Sequence, residues 1–202
     1  MSKNLLVINS SPLSQGSKSR ALTDTFSKEW QLKNSEVSVI ERDLSKTALG
    51  HLDEATIGAF FTPEDQLSDS QKELVALSNT LVDELVKADT IIIGAPMHNF
   101  SIPSTLKSYI DLVARAGKTF TYTEEGPKGL LSGKKAYVLA ATGGDYREGS
   151  PASGMNFVDP YLRTVLGFLG LRDVEFISAA NSAKSDEGLN EAQEILKQAI
   201  AA

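Results

Sequence analysis

An α/β fold built on a doubly wound parallel sheet is predicted from three observations. Five short runs rich in aliphatic and β-branched residues alternate with segments of helical periodicity. The run at 90–96 (TIIIGAP) is dominated by apolar and β-branched residues, which suits a central strand covered on both faces. Helical segments also separate successive runs, as the crossovers of parallel strands require.

The first run, Leu5-Leu6-Val7-Ile8, is too short for a helix. It enters a hydroxyl-rich loop, and then a helix in which Leu22, Phe26 and Trp30 recur every four residues. A strand that feeds a helix N-terminus through a polar loop makes a natural phosphate cradle. The first helical turn has unpaired N–H groups, and its dipole favours an anion. Ser10, Ser17 and Ser19 can add hydroxyl donors. Serine is also a favoured helix cap, so the loop alone fits either a cradle or a simple cap.

Residues 36–42 (EVSVIER) are predicted as the second strand, ending in a polar turn at Asp43. From 44 to 63 the pattern fits either a short helix and loop over a site edge or a segment packed on the body. Ser70 with Glu73 reads as a capping box, and Leu74, Leu77, Leu81 and Leu85 as the apolar stripe of a helix ending near Lys87. After the third strand, Pro103 is placed to open a helix whose buried face is Leu106, Ile110 and Val113, with Tyr109 beside them. The glycine-rich stretch 117–133 is loop, with Phe120 and Tyr122 alternating as in a short hairpin arm. Residues 135–141 form the fourth strand, followed by a polar loop to about Met155. Phe157, Tyr161, Leu162, Val165, Leu166 and Phe168 mark the next helix. A strand at 173–178 and a helix at 185–201 close the chain. No repeat or linker interrupts it, so 1–202 is expected to be a single domain.

Composition narrows the function. Net charge is -6 and the basic residues are scattered, which argues against a nucleic-acid surface. With no cysteine, disulfides, thiolate metal sites and Cys nucleophiles are excluded. His51 and His98 are too few for a His-built metal centre. There is neither a secretion signal nor an apolar run long enough to span a membrane, so a cytoplasmic, metal-free protein is expected. The segment 129–135 (GLLSGKK) is too short for a P-loop and no Ser or Thr follows its lysine. A phosphoacceptor response regulator would need acidic residues where the chain has Asn9-Ser10 and Ala95-Pro96.

Five strands in this alternation suit the flavodoxin-like order 2-1-3-4-5, with helices on both faces and a ligand crevice between strands one and three. The loops after strands one, three and four border that crevice, and these are the loops of unusual composition. The second offers Pro96, Met97, His98, Asn99 and Phe100, and the third a Gly143-Gly144 pair that lets backbone approach a flat ligand. Together they describe a slot for a planar ring with a phosphate at one end.

These residues carry a resemblance. Ser10 with Ser17-Lys18-Ser19, the stretch 95–103 (APMHNFSIP), Leu106-Lys107-Ser108-Tyr109-Ile110-Asp111, and 113–120 (VARAGKTF) resemble the FMN-dependent NADH azoreductase/quinone reductase family. Gly126-Pro127-Lys128-Gly129-Leu130, Gly143-Gly144, Pro160-Tyr161-Leu162 and Leu166-Gly167-Phe168 continue the match over nearly the whole chain.

The resemblance implies a flavodoxin-like homodimer binding FMN non-covalently near the interface, with NADH as electron donor. It also implies ping-pong, two-electron reduction of quinones and azo compounds. Ser10, Ser17, Lys18 and Ser19 would hold the FMN phosphate. Pro96, Met97, His98, Asn99 and Phe100 would line the ring, and Ala141, Thr142, Gly143 and Gly144 would reach its pyrimidine side. Phe120 and Tyr122 would shape the substrate pocket, and His98 is the one candidate proton donor. Two departures are evident: His98 stands where a large aromatic is common, and 141–146 (ATGGDY) lacks the arginine and histidine that many relatives carry there. A flavodoxin-type one-electron carrier and a cofactor-less interaction module are the rival readings of the same architecture.

Overall fold

A computed structural model describes residues 3–34 and 36–201. Five strands, β1 (Lys3–Asn9), β2 (Val37–Asp43), β3 (Thr90–Pro96), β6 (Lys135–Ala141) and β7 (Asp173–Ala179), form a parallel sheet in the order β2-β1-β3-β6-β7. In terms of the five sheet strands this is the predicted 2-1-3-4-5. The remaining two, β4 (Phe120–Thr123) and β5 (Gly126–Gly129), pair antiparallel as the expected hairpin arm.

Period-two alternation divides each strand between two cores. Leu5 and Val7 of β1 face a cluster with Leu22 and Phe26 of helix α1 (Lys18–Lys33) and Ala192 and Leu196 of helix α6 (Glu187–Ala201). Leu6 and Ile8 face the opposite cluster, with Leu81 and Leu85 of α3 (Asp69–Lys87), Leu106 and Ile110 of α4 (Ser104–Val113), and Leu162 and Leu166 of α5 (Val158–Leu169). Phe26 is fully buried, stacked on Trp30 at 5.4 Å and tilted against Tyr137 at 4.7 Å. Both faces of β3 are covered, which is why its sequence is so uniformly apolar.

Several boundaries move. The capping box of α3 is Ser68 with Gln71, not Ser70 with Glu73. Both pairs fit the S-x-x-E/Q pattern; Ser70 lies inside the helix, its hydroxyl 3.0 Å from that of Ser68. The stripe shifts accordingly: Val75, Ser78, Leu81, Val82 and Leu85 are buried, whereas Leu74 is exposed. Asp43 closes β2 rather than turning it. Residues 44–63 contain helix α2 (Glu54–Phe61), capped by Asp53, whose side chain accepts from the N–H of Thr56 at 2.7 Å. Phe157 precedes α5 and is exposed, and α6 begins two residues later than predicted.

The arm is anchored by backbone approach. A Cβ on Gly129 would lie 2.1 Å from the Gly170 nitrogen, so only glycine lets β5 meet the end of α5. The Leu131 N–H donates to the Leu169 carbonyl at 3.0 Å, and Phe120 packs on Phe168 at 4.5 Å.

Candidate active site

At the carboxyl ends of β1, β3 and β6 the chain leaves a cleft of about 230 Å³. Ser11, Leu13, Gly16, Ser17 and Lys18 line one side, Pro96, Met97 and His98 the floor, and Ala141 and Gly143 the far side. Three loops far apart in sequence converge there, because a parallel sheet places all its strand exits on one edge. Ser182 and Ala183, in the loop after β7, complete the lining.

The first loop is held open from outside. Ser17 caps α1, its hydroxyl oxygen accepting from the Arg20 N–H at 3.3 Å and lying 3.2 Å from the Ser19 hydroxyl. Among the described residues, the N–H groups of Lys18 and Ser19 take no partner, as expected for a first helical turn. Gly16 sits at φ +70 with open space where a side chain would stand. Ser10 is placed differently from the other serines. It is 1% exposed, and its hydroxyl donates to the Gly94 carbonyl at 2.6 Å, binding β1 to β3. Lys18 pairs with Asp186, which leaves the positive character of the cleft to backbone amides.

The second loop is a tight turn. The His98 N–H donates to the Ser101 carbonyl at 2.8 Å, and the His98 carbonyl accepts from the Ser101 N–H at 3.0 Å. Between them Asn99 and Phe100 have φ of 48 and 70 degrees, both in the left-handed region. That is the signature of a type I′ turn, which here is made without glycine. The Phe100 carbonyl accepts from the Phe157 N–H at 2.9 Å, and its ring meets Tyr146 edge-on at 6.2 Å. The Asn99 and Phe100 N–H groups have no partner among the described hydrogen bonds. Met97 is half-buried and tied to β6, its N–H donating to Ala141; His98 is exposed.

The third loop is folded by Thr142, whose hydroxyl donates to the Gly144 carbonyl at 2.8 Å. The hydroxyl of Ser182 donates to the Thr142 carbonyl at 2.9 Å, joining this loop to the one after β7. Asp145 is held to about 2, chiefly by hydrogen bonds from Arg147, which also meets Glu191 of α6 at 3.2 Å. The Gly143 and Gly144 N–H groups are likewise without a described partner.

The arm divides its two aromatics. Phe120, expected beside Tyr122 in a substrate pocket, is 8% exposed and serves as the buried foot of the arm. Tyr122, 71% exposed, is the ring it presents outward.

Comparison with known proteins follows this geometry. Residues 3–200 match a family model described as a flavodoxin-like fold. An FMN-dependent NADH:quinone oxidoreductase of Hydrogenovibrio crunogenus is 50% identical over 196 residues, covering 97% of this chain and 96% of that one. The chain belongs to this oxidoreductase family. A Herminiimonas arsenicoxydans protein of the same name is 52% identical over 188 residues, covering 93% and 92%. Among solved structures, an FMN-dependent NADH-azoreductase from Bacillus anthracis in complex with FMN superimposes with a TM-score of 0.89 at 26% identity, covering 98% of both chains. In this family member, sequence reasoning missed Ser182 and Ala183. The nearest cue is Asn181, a turn-forming residue at φ 56. It also missed Arg20 and Asp43, whose bond depends on a distant strand end.

Proposed function

We infer that this protein is an FMN-dependent oxidoreductase that uses NADH to reduce quinones by two electrons and to cleave azo compounds reductively. The observation that carries this reading is the single cleft that gathers the amide-rich start of α1, the Pro96–His98 floor and the Ala141–Gly143 wall. Roughly 50% identity to FMN-dependent NADH:quinone oxidoreductases supports the activity.

The residues fit the cofactor. Unpaired amides at Lys18 and Ser19, beside the space left at Gly16, suit a phosphate dianion without needing a net cation. Bound FMN supplies a ring that accepts hydride from a nicotinamide and passes it to an acceptor. The chain's task is positioning and charge stabilisation. The Asn99 and Phe100 N–H groups, in the turn that follows the cleft floor, and those of Gly143 and Gly144, in the loop after β6, have no described partner and are the donors proposed for the ring. Four fixed dipoles of this kind can stabilise negative charge on a reduced ring by a few kcal/mol with little reorganisation.

We further propose a homodimer with the site near its interface. Phe61, Tyr122 and Phe157 are 77%, 71% and 58% exposed, apolar surface that a partner subunit could cover. A cytoplasmic location accords with the described residues, in which no helix is long and apolar enough to cross a membrane.

The test is an absorption spectrum of the purified protein loaded with FMN, followed by anaerobic NADH. Flavin peaks that bleach, and steady-state NADH consumption with menadione, are expected. Bleaching without turnover on any quinone would make the protein an electron carrier, and a protein that stays colourless with FMN would sink both readings.

A further inference from the structure

A second cavity, of about 370 Å³, lies among α2, α3 and the turn after α4, and shares no lining residue with the cleft. Its chemistry centres on Arg115. Arg20, Arg42 and Arg147 each meet a carboxylate within 4 Å, and Arg163 and Arg172, which form no described ion pair, are exposed to solvent. Arg115 is only 6% exposed, yet among the described residues it forms no ion pair. Its Nη1 donates to the Ser78 hydroxyl at 2.6 Å, and its backbone N–H to the Thr119 hydroxyl at 2.9 Å. The guanidinium lies 3.7 Å from the centre of the Phe60 ring. Its Nε is buried and has no partner.

A buried cation without a counter-ion is costly, and an unmet donor on it adds to the cost. The neighbours make the arrangement harder to read as structural filling. Lys118, also lining the cavity, donates to the Asn79 side chain at 3.2 Å and lies 4.0 Å from the Glu64 carboxylate. Glu64 is itself a lining residue, with its side chain 79% exposed. Two cations and an amide therefore surround a space whose one acidic neighbour stands at the solvent edge. Phe60 beneath the guanidinium and the largely exposed Phe61 at the rim add flat apolar surface.

We propose that this cavity is a binding site for a small oxyanion, a carboxylate or a phosphate, with Arg115 as its base, Lys118 as its second cation and the Glu64 carboxylate as a displaceable internal competitor. The Arg115 Nη2, which makes no described hydrogen bond, can donate to such a ligand, with Lys118 supplying the second positive charge. Burial lowers the Arg115 pKa while Glu64 opposes that shift, as expected where a nearby negative charge compensates the guanidinium only in part.

The test uses protein loaded with FMN, so that the anion cradle at the start of α1 is already filled. Inorganic phosphate and benzoate are titrated separately by calorimetry against chloride at equal ionic strength. Saturable binding of either probe is expected, and the one that binds more tightly identifies the ligand as a phosphoryl or a carboxylate compound. Lys118→Gln should weaken it and Glu64→Gln tighten it, each by roughly fivefold to tenfold. Both residues stand at the rim, so these variants keep the inquiry open even if Arg115→Gln does not fold. Absence of binding by both probes, or binding that neither rim variant alters, would overturn the site and leave Arg115 as a strut between α3 and α4.

Discussion

Arg20 and Asp43 form a forked ion pair, with Nη2 donating to Oδ1 at 2.7 Å and Nη1 to Oδ2 at 3.0 Å. The same Nη2 donates to the Ser11 carbonyl at 2.7 Å, so the end of β2 fixes the loop that opens the cleft. The hydrogen bonds from Arg20 are the main reason the Asp43 carboxyl sits well below the usual carboxylate range. Replacing Arg20 by Gln should cost about 1–3 kcal/mol of stability and weaken FMN binding to the apoprotein. A carboxyl whose folded pKa is depressed stabilises above its unfolded value of 3.8, and that contribution fades as pH falls below it. Urea melts of the two proteins should therefore differ fully at pH 6, and the difference should begin to shrink only below pH 3.8, narrowing steadily as the pH falls toward the depressed folded value. A difference that persists unchanged in acid would assign the loss to packing instead.

The turn at Asn99 and Phe100 offers a backbone test. Both residues occupy the left-handed region, which Asn tolerates and a β-branched residue does not. Asn99→Gly should fold and hold FMN like the parent. Asn99→Val should lose about 1–2 kcal/mol and bind FMN more weakly, because it disturbs the turn whose amides are proposed to serve the flavin. Equal affinity in the two variants would remove those amides from the site.

Gly94 is where β3 passes α1 most closely. A Cβ there would lie 2.9 Å from Thr23 Cγ2 and 3.3 Å from Asn9 Oδ1. Gly94→Ala should cost about 1–3 kcal/mol. Adding Thr23→Ser removes the clashing methyl and keeps the hydroxyl that donates to Asn9 at 2.8 Å, so the double variant should recover part of the loss. Strict additivity of the two losses would place the strain elsewhere.

His98 is exposed, and its ring makes no hydrogen bond among the described residues. His98→Phe should keep menadione turnover within about twofold from pH 6 to 8. Should the parent slow as pH rises while the variant stays uniformly slow, His98 would be the proton donor after all.

How much of this could be read from the chain varies with the range of the interaction. The continuous apolar runs of β1 and β3 are local patterns, and with the helical segments between the strands they led to the sheet and its order. That a serine of the first loop can cap the helix was legible for the same reason, but not that it is Ser17 rather than its neighbours. Ser10 was not: nothing in its neighbours says that its hydroxyl turns inward to Gly94. Phe120 and Tyr122 look equivalent in a row of alternating residues, yet burial against Phe168 separates them. Ser182 and Ala183 reach the cleft only because β7 lies beside β6, a fact about pairing rather than about those residues.

The opening helix is fastened along its length by the closing one. Lys18 meets Asp186 just before α6, Thr25 receives a hydrogen bond from Gln193 at 3.0 Å, and Lys33 donates to the carbonyls of Ile200 and Ala201. During synthesis these fasteners emerge after every strand of the sheet. A nascent chain that has already made β1 and α1 must wait for α6 before the anion cradle gains its full support, so deleting α6 should impair flavin capture at the distant start of α1.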